Sequence, residues 1–69
     1  MTLKEACAYG KEYLESKSVP EAALDAWYLL EYLTGKNRSY YYAHGEEVLW
    51  LDQERVYKEL VQKRGKRIS

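Results

Sequence analysis

Cys7 and His44 are the two side chains in this sequence with the chemistry of a nucleophile and a general base, and each occurs once. A thiol becomes a nucleophile when a nearby positive charge or base lowers its pKa. Cys7 falls on the apolar face of an expected helix without such a neighbour, and it reads as an inert core residue. His44 stands beside Gly45 at the end of a short helical run, where an imidazole interacts with free carbonyls. No serine or cysteine is spaced to pair with it. A lone cysteine excludes an intramolecular disulfide, and with one histidine it falls short of a four-ligand zinc set. The acids Glu46, Glu47, Asp52 and Glu54 lack the D-x-D-x-D-G-type loop that wraps calcium, and they read as solvated carboxylates. Asp25 interrupts an apolar helix, either on a narrow polar face or ion-paired with a base such as Arg38. A single carboxylate performs no chemistry unaided. With no glycine-rich phosphate loop and no nucleophile motif, the chain is expected to hold no catalytic, cofactor-binding or metal-ligating residue and not to be an enzyme by itself.

Recognition chemistry is better represented. Tyr40, Tyr41 and Tyr42 are consecutive, and three successive helical residues span about 200° of arc, so at least one must face solvent. Tyrosine, tryptophan and arginine are favoured anchors of protein interfaces. The candidate partner-binding residues are therefore Arg38, Tyr40, Tyr41, Tyr42 and Trp50, together with the basic pair Lys63 and Arg64 near the end of the chain.

Helices must position these groups. T-L-K-E opens the first, with Thr2 and Glu5 spaced as a capping box, and Leu3, Ala6, Cys7, Gly10, Tyr13 and Leu14 follow at helical spacing. Gly10 costs up to about 1 kcal/mol in mid-helix, so it predicts close approach of another helix. Ser18 and Glu21 form a second expected capping box, with Pro20 in the first turn. The second helix carries Ala22, Ala26, Leu29, Leu30 and Leu33 as one stripe, widened by Ala23, Leu24 and Trp27, which predicts a central position. Gly35 ends it, and Ser39 is placed to cap a brief third helix. Val48, Leu49, Trp50 and Leu51 supply apolar anchors in a connection. A last helix is expected from Asp52 as N-cap, with a Leu51–Val56 staple, an inward face of Val56, Tyr57, Leu60 and Val61, and a stop at Gly65. The fold class is all-α: a small bundle of three substantial helices plus one or two short ones.

Length and charge narrow the function further. Sixty-nine residues make one small domain, which buries only about 60% of its unfolded surface. Net charge is zero, against an obligate nucleic-acid binder, although residues 58–69 carry a balance of +4. No segment has the length of a membrane span or the apolar core of a signal peptide, and a free thiol suits a reducing compartment, so a cytoplasmic location is expected.

The order Leu24-Asp25-Ala26-x-x-Leu29-Leu30, followed by Leu33, Gly35 and Arg38, resembles the N-terminal domain of the HemK/PrmC family. T-L-K-E-A at the start and K-N-R-x-x-Y-Y-A-H-x-E-E-x-L over residues 36–49 extend the resemblance along nearly the whole chain. Each is a pattern of caps and core, not of catalysis. The resemblance implies a helical domain preceding an S-adenosylmethionine-dependent domain that methylates the glutamine of peptide chain release factors. Neither that domain nor its N-P-P-Y motif is in this sequence. The expectation is an isolated or truncated N-terminal domain, residues 1–64, with residues 65–69 starting a basic linker. Its implied partners are a class I release factor, whose GGQ glutamine it helps present, and its own catalytic domain. A freestanding helical interaction module is the alternative reading, and a small nucleic-acid-binding domain a second.

Overall fold

The computed structural model describes residues 1–66, so Arg67, Ile68 and Ser69 of the expected linker lie outside the described residues. Four helices follow in order: α1 (Leu3–Ser16), α2 (Ala22–Thr34), α3 (Arg38–Ala43) and α4 (Leu51–Lys66). Helices α1, α2 and α4 pack on one another, and the short α3 leans on α1. The described residues form no strand, so the all-α bundle is as read from the sequence.

Tyr57 of α4 is the pivot of the core. It is wholly buried among Ala6, Leu14, Leu30 and Val61, and its hydroxyl donates to the Ala6 carbonyl at 2.7 Å. A buried phenol needs such an acceptor, because an unmade hydrogen bond costs about 1–3 kcal/mol. Gly10 makes room for it. A Cβ there would lie 2.3 Å from the Tyr57 hydroxyl oxygen and 2.8 Å from the Ala26 Cβ, so α1 meets both other long helices at this glycine.

The capping box of α1 forms as expected: the Thr2 amide donates to Glu5, and the Glu5 amide donates to the Thr2 hydroxyl. The second one does not. Ser18 takes a left-handed φ of 61° and closes α1 instead, its amide bonded to the Glu15 carbonyl and that of Val19 to the Leu14 carbonyl. This is a Schellman closure, and it brings the C″ residue Val19 into the core beside Leu14. Glu21 is also left-handed and gives no side-chain cap, so Pro20 lies in the turn before α2. The tight reversal between α1 and α2 takes precedence over the local capping signal.

Further expectations at α3 and α4 are corrected. Asn37, not Ser39, caps α3 by accepting from the Tyr40 amide. Helix α4 begins at Leu51 rather than after Asp52, with the Gln53 side chain accepting from the Trp50 amide. Leu51 is 81% exposed, so no staple to Val56 forms; of the four apolar residues 48–51, only Leu49 is buried. Gly65 does not end α4 but lies buried within it, where a Cβ would meet the Tyr13 ring at 2.8 Å. On the inward face of α4, Tyr57 and Val61 are buried, while Val56 and Leu60 are half-buried.

Candidate partner-binding site

The turn at Gly35 (φ 73°) folds α3 back beside α2 and the start of α1, opening a groove of about 670 Å³. Its floor and walls include Cys7, Trp27 and Tyr41; Lys4, Arg38 and Tyr42 stand around it. The three consecutive tyrosines separate as helical geometry requires. Tyr41 points inward (5% exposed), its hydroxyl bonded to the Lys36 carbonyl and in contact with Thr34. Tyr42 points outward (76% exposed), edge-on to Trp27 with ring centroids 6.4 Å apart. Tyr40 turns to the opposite side, donating to Glu47 and stacking near His44. That bond to Glu47 holds the Tyr40 phenol above its ordinary value.

Arg38 is the most informative placement. Its guanidinium lies 4.2 Å from the centre of the Trp27 ring, a cation–π contact across the α2–α3 turn. It does not pair with Asp25. Asp25 accepts from Arg64 Nε at 3.0 Å, tying α2 to the last turn of α4. The structural reading of Asp25 stands with a different base, because the antiparallel packing of α2 and α4 brings residues 39 apart in sequence together.

The other candidates are dispersed. Trp50 is 76% exposed and lines a shallow cleft of about 150 Å³ with Lys36, Tyr40 and Glu47, separate from the Arg38 groove. Lys63 faces solvent on α4. The structure thus brings Arg38, Tyr41 and Tyr42 to one groove and leaves Trp50, Lys63 and Arg64 elsewhere. Trp27 and Lys4 were not singled out by sequence reasoning: Trp27 reads as core stripe, and only the fold-back of α3 brings it against Arg38 and makes Lys4 part of the same groove.

Cys7 is half-buried, and burial pushes its thiol up, with the Trp27 side chain acting in the opposite direction. Such a thiol is a poor nucleophile. Among the described residues no three histidine, cysteine or acidic side chains converge as a metal site, and no helix is long and apolar enough to cross a membrane.

What the arrangement offers is an aromatic and cationic face on a helical domain. Residues 5–69 match the family described as PrmC N-terminal domain. This chain belongs to that family. No curated protein and no solved structure matches it. The PrmC N-terminal domain accounts for nearly all of the chain, and the match spans every residue lining the groove except Lys4.

Proposed function

We propose that this chain is the substrate-docking domain of a protein-(glutamine-N5) methyltransferase acting on peptide chain release factors. The family match over residues 5–69 carries the reading. In it, the domain holds a class I release factor so that the glutamine of its GGQ loop reaches a catalytic domain in the cytoplasm. Methyl transfer and S-adenosylmethionine belong to that catalytic domain. A nucleoside cofactor is gripped by a glycine-rich turn between strand and helix, with an acid on the ribose. The groove here presents Arg38 over the Trp27 ring with Lys4 also lining it, and the described residues form no strand, which does not fit that cofactor.

The supporting physics is preorganisation. Arg38 and Tyr42 are held against Trp27 before any partner arrives, so little side-chain entropy is lost on docking. An amide NMR titration of the chain with a bacterial class I release factor tests the proposal. Saturable shifts at residues 27 and 38–46 are the expected result; an unchanged spectrum at millimolar release factor would overturn it. The exposed Val48, Trp50 and Leu51 favour a second reading, a freestanding interaction module, for which sedimentation would show a stable self-assembled species.

A further inference from the structure

We infer that the α2–α3 groove binds a protein segment in which a carboxylate side chain stands next to an apolar one. The inference rests on the reading of this face as a protein-docking surface and adds the chemistry of what it grips.

Two observations lead to it. Arg38 lies over Trp27, its guanidinium 4.2 Å from the ring centre, yet its N–H groups make no hydrogen bond or ion pair among the described residues. A guanidinium with one face covered by an indole keeps its edge free, and that edge matches a carboxylate with two parallel N–H···O bonds. Lys4, at the other side of the groove, is equally without a charged partner among the described residues, and its backbone is fixed by an amide bond to the Gly45 carbonyl at 3.0 Å. Two unpaired cations thus flank one concave site in a chain whose net charge is zero, with Glu46 at the rim. That is charge complementarity for a single acidic group.

The space between the cations decides what accompanies the carboxylate. Trp27, Tyr41 and Tyr42 wall it, giving a surface more than half apolar and open enough for a side chain to enter. A leucine- or methionine-sized group would cover the exposed Tyr42 ring while its acidic neighbour meets Arg38. A nucleic-acid strand is the poorer fit, since a run of phosphates needs a track of bases and this groove has two.

The probe is a blocked peptide, acetyl-Ser-Leu-Glu-Leu-Ser-amide, compared with its twin carrying Gln for Glu. The ¹⁵N-labelled chain is followed at the Trp27 indole N–H and the Arg38 Nε–H. The acidic peptide should shift both signals saturably, bind about tenfold more tightly than the Gln twin, and weaken as salt rises. Arg38→Lys, which keeps the charge and removes the fork, should erase the preference for Glu over Gln while the amide spectrum stays folded. Lys4→Gln should halve or further reduce affinity for the acidic peptide alone. Equal shifts with both peptides, shifts confined to residues 48–51, or tighter groove binding by oligouridylate than by the acidic peptide would each overturn the inference. Release-factor binding that survives Arg38→Lys undiminished would overturn it too, and leave the proposed function intact. Release-factor failure with peptide success would do the reverse.

Discussion

At the scale of single residues, Tyr57 and Gly10 form a lock that can be measured from both sides. Tyr57→Phe removes the hydroxyl bonded to Ala6 and should cost about 1 kcal/mol in urea unfolding. Gly10→Ala should also destabilise, by about 1–3 kcal/mol, although alanine is the better helix former. Its Cβ would overlap the Tyr57 hydroxyl and crowd Ala26, and neither neighbour is a flexible chain end. Burial raises the Tyr57 phenol far above its ordinary value of 10.0. The neutral form is therefore favoured in the fold: the stability this group contributes is whole below pH 10.0 and is lost as pH rises above it. An alkaline titration should show tyrosinate absorbance appearing in two steps, the second coincident with loss of helix by circular dichroism. The periodicity placed Tyr57 on the inner face and marked Gly10 as a close approach; that the two touch depended on the crossing of α1 over α4.

At the scale of elements, the ends of the helices carry the argument. Backbone and side-chain bonds from Thr2 hold the Glu5 carboxyl below its ordinary value. A depressed carboxylate stabilises above its unfolded-state pKa and loses that contribution as pH falls through the folded one. The first turn of α1 should therefore fray in acid, seen as faster amide exchange at residues 3–6, and Glu5→Gln should remove that pH dependence. The Arg64–Asp25 pair joins α4 to α2, but both side chains are partly exposed (39% and 22%). Solvent screening limits it, so Asp25→Asn should cost no more than about 1 kcal/mol, and less at high salt, in thermal melts. Cap signals were legible at Thr2 and Gly35, where nothing competes with them. They failed at Ser18 and Glu21 because the reversal after α1 needed a left-handed residue at Ser18, and a backbone demand of that kind leaves no mark in the spacing of side chains.

At the scale of the whole molecule, the domain is small enough for one side chain to decide whether it folds. Stability for a chain of this length is roughly 3–10 kcal/mol. Tyr57→Ala, which removes about 3–5 kcal/mol of core contacts, should leave a large fraction unfolded at 37 °C by circular dichroism. Trp50→Ser should change stability by no more than about 0.5 kcal/mol, since that ring is largely in water. The contrast matters for function. Residues that hold the bundle face inward from α1, α2 and α4 and, through Tyr41, from α3, while Arg38 and Tyr42 stand on the outer side of that short helix. A partner surface can vary there without a cost to the core.

The sequence by itself determined the helices, their inner faces, the glycine at the crossing and the family, because each is written as a local period or an ordered motif. Tertiary structure decided which base meets Asp25, which tyrosine is exposed, and that Trp27, packed against the core, also supports Arg38. Those are contacts between elements. They depend on the angle of a turn and the register of two packed helices, and neither quantity is carried by the spacing of residues along one of them.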